Sequence, residues 1–178
     1  TEGCSSVFLD FESGAVARLV YSGYDHFDAD ELHGWIGERG YPKRADHGAT
    51  RRALASLGGA ESDARRTRYG YGGGAFAARD PAAAHQPHFG ALVVSCERAD
   101  LRPTADGVRV YGDDGVREVP LPPSRGLGGR DLVLDELYEA AVNGVAPLHD
   151  GRFGRGTVAT VLAILESARS RREVAVER

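Results

Sequence analysis

Two histidine groups and one arginine group are the parts of this sequence whose residue types could do chemistry. His26, Asp28 and His33 fall within one short span, and His85 and His88 bracket Pro87. Zinc sites pair such ligands at helical or strand spacing, as in HExxH, and none of these does, so no native metal is expected. Tyr24, His26, His33 and Trp35 could instead line a polar, aromatic pocket for a small molecule, or could belong to a surface or interface loop. Arg65, Arg66 and Arg68 beside Tyr69 and Tyr71 could hold an acidic ligand by charge-assisted pairing, or could form a solvated loop. The glycine run 72–74 lacks the GxGxxG spacing and the strand–turn–helix setting that cradle a pyrophosphate. No GxSxG elbow occurs. Cys4 and Cys96 have no CxxC spacing and are expected to be buried thiols, neither disulfide nor zinc ligands.

The elements that must position these residues follow from periodicity. Residues 5–11 and 15–22 alternate in character around Glu12-Ser13-Gly14 and predict an antiparallel hairpin. A short strand is expected at 32–37, a helix at 47–58 ended by Gly58-Gly59, and a loop or linker from 60 to 87. From Phe89 a meander of three or four strands runs through the Asp113-Asp114-Gly115 turn and stops at Pro120, Pro122 and Pro123. Residues 131–143 form an amphipathic helix with Leu134, Leu137, Tyr138, Ala141 and Val142 on one side and Gly144 beyond its end.

The last helix is expected to start at the cap residue Asp150. Its apolar stripe is Val158, Val161, Leu162, Leu165 and Ala168, and residues 172–176 beyond it are strand-like. Glycines 151, 154 and 156 are costly in a helix, which predicts something packed closely on its first turn: a neighbouring strand, a second domain or a ligand. If the stripe is core, Leu162→Asp should unfold the domain. Strands followed by helices predict an α+β fold, a largely antiparallel sheet with helices packed on one face.

A net charge of −4 argues against general binding to nucleic acid or to a membrane surface. The chain lacks a run of apolar residues long enough to span a bilayer, and the cytoplasm is the default location. It has no methionine and begins almost directly in a strand, so it is expected to be a fragment of a longer protein. Lys43 is its single lysine among 22 basic residues, a coding bias with no functional meaning.

Three phrases, FESGAVARLVYSGYDHFDADELHGWIGE, HFGALVVSCERADLRPTADGVRVYG and DELYEAAVNGVAPLHDGRFGRGTVATVLAILESARSRREV, cover most of the chain. In this order they resemble the C-terminal domain of the Gfo/Idh/MocA oxidoreductases, most of all the branch of phthalate dihydrodiol (4,5-dihydroxyphthalate) dehydrogenases. The resemblance implies an open-faced, largely antiparallel mixed β-sheet with helices on one face and subunit association on the other. Residues 1–178 would be a single C-terminal substrate and oligomerisation domain with an insertion at about 43–88. A Rossmann domain binding NAD or NADP, and the family's Glu-Lys-Pro lysine and Asp…His pair, would lie before Thr1.

No catalytic or cofactor-binding residue is therefore assigned in this chain, which would be inactive alone. Its share of hydride transfer at a hydroxyl-bearing carbon would be the substrate wall. Candidates are Tyr24, His26, His33, Trp35, His88, His149 and Arg152, with cations and donors for a dicarboxylated ring diol. The alternative is a non-catalytic β-sheet association module without a substrate.

Overall fold

Alternation of apolar and polar side chains makes the first hairpin, β1 (Cys4–Asp10) and β2 (Val16–Ser22). Its turn closes through Gly14 N–H to Phe11 O at 2.8 Å, with Gly14 at φ +82° where a side chain would be strained. The computed structural model describes residues 3–70, 80–123 and 130–176. Four more strands follow: β3 (Ala91–Ser95), β4 (Ala99–Pro103), β5 (Gly107–Gly112) and β6 (Gly115–Pro120). They join in sequence order into one six-stranded sheet, antiparallel at every pairing. The fold is α+β with an open antiparallel sheet, as the sequence predicts; among the described residues no parallel pairing makes it mixed.

The register gives the sheet two different faces. Leu9, Ala17, Val94, Leu101 and Val110 are successive partners across five strands, and Ala17 and Val110 are buried. The opposite face carries Phe8, Val20, Tyr111 and Val116, all exposed, together with Arg18, Arg102 and Arg109. On it Arg109 and Thr104 both bond the Glu118 carboxylate. Pro120 ends β6 on an edge of the sheet, where its missing N–H costs no ladder bond.

Between β2 and β3 the chain makes a 3-10 turn (Ala29–His33), α1 (Ala49–Ser56) and α2 (Glu61–Tyr69). The strand expected at 32–37 is thus replaced by a turn. Asp28 caps it by accepting from Asp30 N–H at 3.1 Å, and only a single bridge, Ile36 to Pro42, remains of strand pairing. The loop expected from residue 60 contains α2, which carries no apolar stripe and so left no periodic signal. The glycine run 72–74 and Tyr71 lie outside the described residues.

Arg130–Arg178 forms a second compact unit, distinct from Thr1–Gly129. It contains α3 (Arg130–Asn143) and α4 (Gly151–Ser170). Asp150 caps α4, its Oδ1 accepting from the N–H groups of Arg152 and Phe153 at 2.9 Å each. Gly144 takes φ +68° just past α3, as its position predicts.

Three sequence expectations need correction. Residues 172–176 form no strand. Cys4 and Cys96 are exposed, each at or just beyond a strand end. Leu162, taken as core, is 59% exposed in this chain. Leu162→Asp is accordingly expected to shift the stability of this chain by less than about 1 kcal/mol, the cost of helix propensity alone, in urea melts followed by circular dichroism. A loss above about 3 kcal/mol would restore Leu162 to a core.

Candidate functional site

Of the residues singled out from the sequence, His33 and His88 are brought face to face. Their rings stack with centroids 3.6 Å apart and planes 11° from parallel. His33 ends the 3-10 turn and is buried; the His88 side chain, three residues before β3, is 3% exposed. His88 Nε2 donates to Ile36 O at 2.8 Å and lies 3.3 Å from Asp30 Oδ1. Burial, then the neighbouring His88 and Arg102, lower the His33 pKa to about 4, against opposing help from the Gly90 backbone and Asp30. The ring is neutral at physiological pH.

Asp30 is the hub of the cluster. Its Oδ2 accepts from Lys43 Nζ at 2.6 Å, and the same ammonium donates to Asp28 Oδ2 at 2.6 Å. Burial works to lower the Lys43 pKa, but the hydrogen bonds and charges of Asp28 and Asp30 outweigh it and hold the ammonium above its ordinary value. Asp30 O also accepts Trp35 N–H at 2.8 Å. Trp35 sits at φ +62°, a region disfavoured for a bulky residue, directly after Gly34 at φ +66°. Lys43 N–H bonding Trp35 O at 2.9 Å helps to fix that conformation.

A second aromatic group adjoins this one. His47 stacks on Phe27 at 5.7 Å and meets the Trp35 edge at 5.0 Å, while its Nδ1 accepts from Asp28 N–H at 3.2 Å. Tyr24 and His26 are exposed, and Tyr24 O accepts from Arg51 at 3.1 Å. In the helical unit, His149 places both its backbone N–H and its Nδ1 2.6 Å from the Glu136 carboxylate, with Phe153 edge-on at 4.7 Å. Those bonds, the backbone one foremost, lower the Glu136 pKa. Arg152 is exposed there, its N–H taken by the Asp150 cap.

The seven candidates therefore divide: Tyr24, His26, His33, Trp35 and His88 belong to the sheet unit, His149 and Arg152 to the helical unit. Sequence reading missed Asp30, Lys43, Phe27 and His47, which hold the first group together. Lys43 was visible as the single lysine within reach of an Asp-rich turn, yet it was assigned to coding bias. Arg65 and Arg66 pair along α2 with Glu61 at 3.2 Å and Asp63 at 2.8 Å, so these two guanidiniums are engaged by their own helix.

Among the described residues, no group of three or more His, Cys, Asp or Glu side chains is arranged to hold a metal ion. A dinucleotide site of the Rossmann type uses a strand–turn–helix crossover whose helix N-terminus meets the pyrophosphate. Among the described residues, six strands antiparallel in sequence order contain no crossover of that kind. Likewise, among the described residues no helix is long and apolar enough to cross a membrane.

The chain is 34% identical, over 175 residues, to the 1-carboxy-3-chloro-3,4-dihydroxycyclohexa-1,5-diene dehydrogenase of Comamonas testosteroni. This chain is homologous to part of a dehydrogenase. The match takes in 95% of the chain but 43% of that relative. A crystal structure from Bordetella bronchiseptica RB50, described as a "putative dehydrogenase", superposes on the whole chain with a TM-score of 0.77 and 46% identity. The chain covers 45% of it, so it spans somewhat under half the length of both proteins. No family model matches the sequence.

Lys43→Met would leave two neighbouring carboxylates without their cation. A stability loss of about 1 to 2 kcal/mol is expected in denaturant melts, short of the roughly 3 to 5 of a fully buried pair because Lys43 is one-third exposed. His26→Ala, at an exposed position, should change stability by less than about 0.5 kcal/mol. Equal effects from the two would show that the Asp28–Lys43–Asp30 bridge contributes nothing.

Proposed function

We propose that this chain is the C-terminal substrate and assembly domain of an NAD(P)-dependent oxidoreductase of the Gfo/Idh/MocA type, acting on a hydroxyl-bearing carbon. The observation that carries the reading is the match to a ring-diol dehydrogenase along nearly the whole chain, at under half the relative's length. A fold without a dinucleotide crossover supports the same division of labour. The nucleotide would sit on a Rossmann domain preceding Thr1, and this chain alone would be inactive. No step of hydride transfer is assigned to its residues; they bind and orient.

A carboxylated cyclic dihydrodiol of the phthalate kind suits the candidates. A flat ring can lie on the aromatic group around Trp35, and its carboxylate can meet histidine or arginine donors. His33 and His88 have another part in this reading, since both are enclosed: they shape the segment that carries Tyr24, His26 and Trp35. The exposed sheet face with Phe8, Val20, Tyr111 and Val116 would join two copies in a cytoplasmic homo-oligomer. That same face is what favours the second reading, an association module with no substrate.

Steady-state kinetics of the whole enzyme separate the two. Trp35→Ala and His26→Ala are expected to raise KM for the diol roughly tenfold while changing KM for the nucleotide less than about twofold. Diol kinetics untouched by both substitutions would overturn the placement of the substrate wall.

A further inference from the structure

We propose that the stacked pair His33–His88 is an acid-released clasp fastening residues 28–47 to the segment that leads into β3. The proposal concerns the sheet unit itself and holds whether or not the chain serves a dehydrogenase. The two segments meet closely. Gly40 O accepts His85 N–H at 2.7 Å, Glu38 O accepts His88 N–H at 3.2 Å, and a Cβ on Gly40 would stand 2.1 Å from His85 O. At the centre of this seam are the two parallel imidazoles.

The surroundings of His33 accept only a neutral ring. His88 uses Nε2 toward Ile36 O and Asp30, and its buried Nδ1 has no hydrogen-bond partner among the described residues. His33 Nδ1 is buried and equally unpartnered, while the ring's remaining bond goes to the Gly90 backbone. A neutral imidazole needs only one donor and leaves a bare lone pair; an imidazolium carries a second N–H that requires an acceptor. Protonating His33 would bury that N–H unpaired and set a positive ring 3.6 Å from its neighbour.

The charged groups facing the pair do not remove the conflict. Arg102 from β4, whose guanidinium holds Leu32 O at 2.6 Å, repels a charged His33. Asp30 from the 3-10 turn attracts it, but that carboxylate is already shared by Lys43 and His88. Glu38, Arg39 and Lys43 complete the ring of charges acting at this seam. Relief comes when the stack parts and His33 reaches water, which frees the 28–47 segment and with it Trp35 and His47.

A histidine whose folded pKa lies near 4 instead of 6.5 gives its full stabilisation above pH 6.5 and loses it as pH falls toward 4. Between pH 7.5 and pH 5 the opening equilibrium of residues 29–47 should rise on the order of tenfold in hydrogen exchange, after correction for intrinsic rates, while that of the β1–β2 hairpin should not.

Two measurements on the intact chain test this. In an NMR titration, His33 is expected to stay neutral to below pH 5, and amides of 29–47 to lose protection already between pH 7.5 and 5, before the closed-state ring titrates. Titration of His33 near 6.5, or exchange in 29–47 no more acid-sensitive than in the hairpin, would overturn the clasp. His33→Phe keeps a flat ring on His88 and cannot take a proton, so it should abolish the tenfold acid response; retention of that response would also overturn it. The wild-type titration decides the question even where the variant does not fold.

Discussion

Asp30 is the residue on which the local architecture depends. One carboxylate oxygen meets the Lys43 ammonium, the other faces His88, and its carbonyl holds the N–H of a tryptophan in the left-handed region. A buried carboxylate is tolerable only when paired and hydrogen-bonded, and here its partners come from three separate stretches of chain. That requirement ties residues 28–30, 35, 43 and 88 into one unit. Without it, a segment as rich in glycine, aspartate and histidine as 23–48 would have little reason to adopt a single conformation.

The sheet supplies the frame for this cluster. Neighbouring strands pair in sequence order, with short connections everywhere but between β2 and β3, and the period-two alternation sends Leu9, Ala17, Val94, Leu101 and Val110 to one face. A mixed apolar and charged set goes to the other. Such a frame presents surface and holds loops, and among the described residues it contains no strand–helix crossover.

The hairpins were legible in the sequence because alternation and turn chemistry agree there: Gly14 and Gly115 occupy positive φ where the predicted turns need them. The two long helices were legible from their stripes and from the Asp150 cap. What escaped has identifiable causes. Residues 32–37 carry Leu, Trp and Ile that suggest a short strand, yet the Asp28 cap wins locally and makes a turn. In α2 the sequence ESDARRTRY has no apolar period to detect. Val174, Ala175 and Val176 have strand character but no strand partner among the described residues. Leu162 shows the limit of periodicity: a stripe marks a face that prefers burial, and does not say which part of a protein covers it.

The candidate site was half legible. Residue types identified His33, Trp35 and His88 as unusual, while the network that gives them shape runs through Asp30 and Lys43, joined only by tertiary contacts that no spacing rule anticipates. The most direct test of the functional account is a calorimetric titration of NAD and NADP into this chain and into the chain joined to the proposed nucleotide-binding domain. The account predicts binding to the longer protein and none to the chain. Tight binding to the chain alone would contradict it and place a nucleotide site within these residues.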